Sequence, residues 1–560
     1  MLKKLTIDQL LKESAEKHSS NIALADVKGN SLTYKELFEK VQSIQNFLKD
    51  EGILPGDKIA ILSENSINWA VAYFAITTMG AVGVPIMTDF QAVEVKHIIR
   101  HSESKAIFVS SKQYDKIEEC ESEELTTRIL LDDFSIIPSG TESDIIKRIK
   151  KEGYKGFNKI KFAAMQFVGW AEKEINEDTL ALIFYTSGTT GHSKGVMLLH
   201  RNVVYDAYAT TVLVDLSEND KMLSILPLYH TIESTLGLLT PIMIGASVYY
   251  LDKPPTAAAL LPALGKVKPT VMISVPLVIE KIYKMRILPE INKKTITRVL
   301  YKFPIFRKKI NEVAGKKLLK TFGGNLRMLS IGGAALAPDV ERFLFEAHFP
   351  YAIGYGLTET SPLVTGTGPK RVRFRASGIA LKGMEVKIDN PNPQTGEGEV
   401  LIKGPNVMKG YYKDPDKTKE VLPGDGWFRS GDLGVIDSDG YLFIKGRSKN
   451  VIIGSNGKNI YPEEIESIIN EQPYVLESIV LNRDGKLVAR IHLNYEELDN
   501  QLLNKLTEAE AREEKKKIFD EILKKVNERV NKFSKISEII EQSEPFAKTP
   551  TQKIKRFLYD

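Results

Sequence analysis

A single cysteine, Cys120, stands among the 560 residues. A disulfide framework and a metal site built on paired thiolates are therefore excluded, and a reducing compartment is favoured. Excess charge is also small: 77 Lys and Arg against 72 Asp and Glu leave +5, too little at this length to argue for nucleic acid. Internal repeats and low-complexity segments are missing. The first fourteen residues, Met1 to Ser14, are charged and helix-like, without the uninterrupted apolar core of a secretory leader. The expected location is cytoplasmic, with peripheral membrane contact left open.

Long uncharged runs are few. Asn68 to Thr88 and Ser234 to Leu251 carry no charge and approach the roughly 20 residues that span a bilayer. Gly80, Gly83 and Pro85 break the first, and Gly237, Pro241 and Gly245 the second. Neither has a clear aromatic belt, so each reads as a buried helix followed by a buried strand. With 42% hydrophobic and 27% charged residues, the chain has the balance of a soluble globular protein with more than one domain.

The densest chemistry lies in Tyr185-Thr-Ser-Gly-Thr-Thr-Gly-His-Ser-Lys-Gly195, directly after the apolar run Leu180 to Phe184. A buried strand feeding a flexible polar loop is the natural reading. Glycines let backbone approach a ligand closely, and hydroxyls and N–H groups hold phosphate oxygens. Lys194 adds a charge that suits a triphosphate. The spacing Gly188-x-x-Gly191-x-x-Lys194-Gly195 differs from Gly-x-x-x-x-Gly-Lys-Ser/Thr, which excludes the common P-loop. The plain alternative is a Gly/Thr/Ser surface loop.

Elsewhere helix and strand patterns alternate. Thr33 to Leu48 has apolar residues at helical spacing, and Lys58 to Leu62 and Ala106 to Ser110 read as strands, an α/β layered pattern. Lys281 to Lys320 is strongly basic with few acids and reads as helices with a solvated cationic face. It suits either a surface insertion or a patch attracting an anionic membrane or the phosphates of a ligand. Near the C-terminus a helix with proline in its first turn starts at Pro462. Strands follow at Leu476 to Leu481 and Leu487 to Leu493. A long helix then presents Phe519, Ile522, Leu523, Val526, Val530 and Phe533 along one stripe, read as core packing.

The loop has companions in fixed order: Leu226-Pro-Leu-Tyr-His230, Ser330-Ile-Gly-Gly-Ala334, Gly354-Tyr-Gly-Leu-Thr-Glu-Thr360, Trp427-Phe-Arg-Ser-Gly-Asp-Leu-Gly434, Gly446-Arg-Ser-Lys-Asn450 and Lys548-Thr-Pro-Thr-Gln-Lys-Ile-Lys-Arg556. In order and spacing, over nearly the whole chain, these resemble the adenylate-forming (AMP-binding) superfamily, and within it bacterial long-chain fatty acid–CoA ligases. One departure is Ser193, where the family usually has proline; it removes no phosphate ligand.

The resemblance implies an α/β fold. A large multi-subdomain N-terminal adenylation domain with an acyl pocket (1–448) would precede a small mobile α+β C-terminal lid (449–560), with Lys449 as the hinge. It implies ATP, coenzyme A and a long-chain fatty acid as substrates and Mg2+ as cofactor. An acyl carrier protein is left open as the alternative acceptor. Glu359 is expected to hold Mg2+ with Thr186, a choice that suits a hard cation. Thr186, Ser187, Gly188, Thr189, Thr190, Gly191, Lys194, Gly356 and Thr358 would cradle phosphates. Gly332, Gly333, Ala334 and Tyr355 would take the base, and Asp432 and Arg447 the ribose. His230 would flank the acyl carboxylate. Lys553 would bridge that carboxylate and the α-phosphate, offsetting the repulsion of two anions. Gln552 stands where most of the superfamily has glycine, a replacement common in long-chain ligases, and the apolar, small-residue-rich Leu226 to Leu251 suits a tunnel wall.

Overall fold

The computed structural model describes residues 2–118, 120, 122–137, 175–186, 193–251, 253, 255–454, 459–501, 506–548 and 554–559. The chain divides into two compact units. The first comprises Met1–Leu336, Phe343–Glu385 and Ile402–Phe428; the second comprises Ala337–Arg342, Val386–Leu401 and Arg429–Asp560.

The first unit is built on two large sheets. In the eight-stranded sheet the order is Gly410–Tyr411, Lys194–Leu199, Leu180–Thr186, Val82–Pro85, Lys58–Leu62, Ser104–Val109, Thr127–Leu130 and Ser135–Ile137. Its centre is parallel and its margins antiparallel. A parallel strand covered on both faces is apolar throughout, and Ile59, Ala60, Ile61 and Leu62 are all fully buried. The nine-stranded sheet runs Ile379–Ala380, Leu363–Gly366, Tyr351–Gly356, Met328–Ile331, Val271–Ser274, Lys221–Ser224, Ser247–Tyr250, Ile22–Asp26 and Ser31–Thr33.

Both uncharged runs fold as expected. The first becomes the helix Ile67–Thr78 and the strand Val82–Pro85. Ser66 starts the helix by accepting a hydrogen bond from the Trp69 N–H at 3.1 Å. Trp69 to Thr78 are all buried, as a helix that is apolar all round requires. The second run becomes a helical segment, Ile232–Leu239 continued by Thr240–Met243, then the strand Ser247–Tyr250. Among the described residues no helix is long and apolar enough to cross a membrane.

The second unit carries most of a four-stranded sheet made by Glu385–Asp389, Gly398–Lys403, Phe428–Ile436 and Leu442–Arg447. Its distal part packs the helices Pro462–Asn470 and Glu508–Arg529 on a sheet of Val475–Arg483, Lys486–Leu493 and Glu538–Glu541. The apolar stripe read from the sequence lies in this core: Ile522 and Val526 are buried, with Phe519, Leu523, Val530 and Phe533 against them. The helix ends at Arg529, so Val530 and Phe533 reach the core from beyond its last turn. Lys449 sits in the single turn Ser448–Asn450, inside the second unit.

Trp69 is fully buried and stacks on Tyr73 with ring centroids 5.5 Å apart. Trp69→Ala is expected to cost about 3–5 kcal/mol, read as an earlier first unfolding transition in urea. An unchanged transition would show that this helix does not limit the first unit's stability.

Candidate active site

The polar loop is closed by a strand pair. Thr186 and Lys194 are antiparallel partners at the ends of Leu180–Thr186 and Lys194–Leu199. Between them, Ser187, Gly188, Thr189, Thr190 and Gly191 lie outside the described residues. The short strand Gly410–Tyr411 pairs with the far side of Lys194–Leu199, setting Tyr411 opposite Val196. This register places the Lys194 ammonium 5.3 Å from the centroid of the Tyr411 ring. The Tyr411 hydroxyl in turn donates to Glu359 Oε1 at 2.8 Å. One tyrosine, not singled out by the sequence reading, thus touches both the expected phosphate-binding cation and the expected metal-binding carboxylate.

Glu359 is held by its backbone. It sits in the turn Thr358–Thr360, just after the strand Tyr351–Gly356. The Met408 N–H donates to the Glu359 carbonyl at 2.8 Å. The buried Asn406 amide donates to the carbonyls of Thr360 at 2.8 Å and Leu363 at 2.9 Å, and the Ser361 hydroxyl donates back to the Asn406 carbonyl. The buried Asn202 amide fastens the next segment, donating to the carbonyls of Pro405 at 2.7 Å and Val407 at 2.9 Å. Gly356 is obligatory: a Cβ there would lie 1.7 Å from the Pro362 carbonyl oxygen.

The remaining first-unit residues gather at the carboxyl ends of parallel strands, where open α/β sheets place ligands. Met328–Ile331 and Tyr351–Gly356 are parallel neighbours, with Ile331 opposite Ile353. Gly332, Gly333 and Ala334 follow the first of these strands, and the second ends on Tyr355 and Gly356. Tyr355 and Thr358 are half-buried, whereas Gly333, Ala334 and Gly356 are exposed. The closest heavy atom to a Cβ built at Gly332 would be Ile232 Cδ1, at 3.4 Å. Ile232 starts the helical segment after His230, so the histidine turn and the glycine turn are neighbours. His230 is half-buried against the Tyr229 ring, with centroids 4.9 Å apart. Its carbonyl accepts the N–H groups of Glu233 and Ser234, both at 3.0 Å.

Behind these turns lies a narrow apolar cavity. Leu236, Thr240, Pro241 and Ile244 form one wall, and Met222, Ile273, Ser330 and Ile353 part of the sheet wall. Ser330 and Gly354, also in the lining, immediately precede the strand ends just described. Glu233, from the same helical segment, is buried, and Oε2 has no hydrogen-bond partner. Burial pushes its carboxyl up to about 8 against the opposing Ser224 hydrogen bond.

In the second unit, Asp432 and Arg447 are antiparallel partners, and Arg447 Nε lies 2.8 Å from Asp432 Oδ1. The carboxylate is buried and the guanidinium exposed. Lys449 is exposed two residues on, and Lys553 lies outside the described residues.

No group of three or more His, Cys, Asp or Glu that could hold a metal occurs among the described residues. The donor set fits Mg2+ nonetheless. That ion is held by one or two carboxylates together with water and substrate phosphates, and here Glu359 offers a carboxylate and Thr186 a hydroxyl.

Residues 11–412 match the AMP-binding enzyme family. The chain is 27% identical to a chloroplastic long-chain-fatty-acid–[acyl-carrier-protein] ligase of Arabidopsis thaliana, covering 98% of this chain and 84% of that protein. It is 28% identical to a long-chain-fatty-acid–CoA ligase of Xenopus laevis, covering 86% and 68%. The crystal structure of ATP-bound MatB from Rhodopseudomonas palustris matches with a TM-score of 0.73 at 25% identity, covering 99% of this chain and 98% of that one.

Glu233 generates a test of sign. Its folded-state carboxyl titrates above its unfolded value, so the unfolded chain releases a proton that the folded chain keeps. Stability from this group is therefore fully present below about 4.5 and is lost as pH rises towards about 8. Glu233→Gln should match the unmodified chain near pH 5 and exceed it by on the order of 3 kcal/mol at pH 7, read by urea unfolding at both values. A difference that does not grow with pH would mean the carboxyl is ionised in the fold.

Proposed function

We propose that this chain, which belongs to the AMP-binding enzyme family, joins a long-chain fatty acid to the thiol of coenzyme A through an acyl-adenylate. The observation that carries this reading is the Lys194–Tyr411–Glu359 arrangement, together with an apolar cavity lined in part by Ser330 and Gly354. A cation and a hard-oxygen donor suit a polyphosphate, and the apolar lining of the cavity suits an aliphatic group. Long-chain ligases among the relatives favour the same substrate class.

In the first half-reaction an oxygen of the fatty carboxylate attacks the α-phosphorus of ATP, and pyrophosphate leaves. Lys194 takes charge on the departing phosphates. Mg2+, held by Glu359 and Thr186, would neutralise phosphate charge as pyrophosphate forms. Tyr411 orients Glu359, and the turn at Gly332, Gly333 and Ala334 leaves room for the flat base with Tyr355 beside it. Asp432 would accept the ribose hydroxyls, with Arg447 fixing its carboxylate. His230 would lie at the acyl carboxylate and transfers no proton, since the acid is already ionised. Lys553 would bridge the two reacting anions. In the second half-reaction the thiolate attacks the acyl carbon and AMP leaves. A hinge at Lys449 would bring the Gly454 to Lys458 segment in place of Lys553.

A second acceptor, the thiol of an acyl carrier protein, is favoured by the Arabidopsis relative's name and its match to 98% of this chain. A long-chain acid partitions into bilayers, and the basic helices between residues 281 and 320 are where this chain would meet one.

The test is pyrophosphate release with Mg-ATP over acids from acetate to stearate, with and without coenzyme A. Steady turnover only with long acids plus coenzyme A supports the proposal. A single burst unchanged by coenzyme A moves the acceptor to a carrier protein, and no release with any acid removes the fatty-acid assignment. Lys553→Ala should remove most adenylation. Tyr411→Phe should slow it about tenfold, the loss of one hydrogen bond to a charged group, and raise the Mg2+ concentration needed. An unaltered Mg2+ requirement would separate Tyr411 from the metal.

A further inference from the structure

Eight of the eighteen large hydrophobic side chains exposed among the described residues fall between Leu277 and Val313. The same stretch is the most basic in the chain: residues 281–320 hold thirteen Lys and Arg against Glu290 and Glu312. Surplus charge and surplus apolar exposure thus coincide in one segment.

The helix Pro304–Thr321 explains how both persist. One side is fixed to the body of the first unit. Arg307 forms a two-pronged ion pair with the buried Glu346, and the Asn311 amide donates to the same carboxylate at 2.8 Å. Asn311, Gly315 and Leu318 on that side are buried. At about 100° per residue, Ile305, Phe306, Lys309, Val313, Lys316 and Lys320 fall within an arc of roughly 100° on the other side, and all six are exposed. The preceding helical segments Tyr283–Ile287 and Thr295–Leu300 also expose Met285 and Ile296, by 75% and 73%, and Ile305 itself is 75% exposed. Lys294, Arg298, Lys302, Lys308 and Lys309 have no acidic partner among the described residues.

We propose that this face docks the enzyme on a bilayer leaflet containing anionic lipid. The apolar side chains would enter the boundary between headgroups and acyl chains while the lysines meet lipid phosphates. Charge complementarity selects this occupant: uncompensated cations interleave with large, protruding apolar side chains. An acidic carrier protein would account for the lysines but would leave Ile296 and Ile305 without a purpose. The inference rests on the long-chain reading for its use, delivery of a membrane-partitioned acid, and stands apart from it in its binding geometry.

The experiment is sedimentation of the full chain with vesicles of phosphatidylcholine, alone or mixed with phosphatidylglycerol, at low and high salt. Pyrophosphate release on a detergent-dispersed acid is assayed in parallel. The expected result is salt-sensitive binding to the mixed vesicles only. Lys309→Glu with Lys316→Glu should weaken it more than tenfold, since each lysine near the surface contributes appreciably. Ile305→Ser with Phe306→Ser should weaken it without changing the salt dependence. Both pairs should keep full release on the dispersed acid, and that activity also establishes that they fold. No binding to mixed vesicles, or binding indifferent to both pairs, overturns the proposal. So does loss, in the charge-reversed pair, of transfer to an acidic carrier protein in the absence of vesicles, which would make the face a protein dock. Failure of the long-chain reading would appear separately, as no pyrophosphate release with vesicle binding intact.

Discussion

Tyr411 sits between two groups of opposite charge and satisfies both in part. Its ring faces the Lys194 ammonium, and its hydroxyl donates to the Glu359 carboxylate. A cation over an aromatic face gains about 0.5–1 kcal/mol at an exposed site, and a hydrogen bond to a charged group about 1.5–3. Each is modest beside what a phosphate or a divalent cation offers the same group. Tyrosine therefore keeps both side chains oriented without consuming them in a tight mutual pair. The arrangement depends on register: Tyr411 opposite Val196 brings the ring to the end of the strand that begins at Lys194. A two-residue edge strand fixes the distance between the cation and the carboxylate.

Supporting that register takes buried amides. Asn202 and Asn406 each give two hydrogen bonds to backbone carbonyls around the Glu359 turn and the segment leading to Tyr411. A turn without regular secondary structure leaves its carbonyls unpaired, and burying them unpaired costs about 1–3 kcal/mol apiece. The asparagines remove that cost and fix the turn geometry together. Gly356 completes the design, because the chain passes too close to Pro362 for any side chain.

Much of this was legible in the sequence wherever the cause was local. Uncharged runs broken by Gly and Pro gave a buried helix and strand twice, because a helix without a polar face has only the interior to occupy. The strand ahead of the glycine and hydroxyl loop was legible too, because the apolar run Leu180 to Phe184 forms the strand Leu180–Thr186, buried from Ala181 to Tyr185. Tyr411, Asn202 and Asn406 were not legible. Tyr411 meets Glu359 across 52 residues, and Asn202 meets Val407 across 205. Their partners are chosen by sheet order, which no local pattern encodes. Glu233 was hidden differently: a lone acid beside an apolar run suggests a surface, yet the helical segment turns it inward to a hydroxyl at Ser224.

Three helical regions place their apolar residues by different rules. Ile67–Thr78 has no charge, and Trp69 to Thr78 are all buried. Glu508–Arg529 is heavily charged, but its apolar residues share one stripe, and that stripe faces the core of its own unit. In Pro304–Thr321 the inward side is taken by Arg307, Asn311, Gly315 and Leu318, anchored on Glu346. Ile305, Phe306 and Val313 are then left outward among lysines. Burying them would drag Lys309 and Lys316 inward too, and an unpaired ammonium in the interior costs more than three apolar side chains return. The cations thus hold the apolar residues at the surface, and a partner can satisfy both only by being apolar and anionic within one side chain's length.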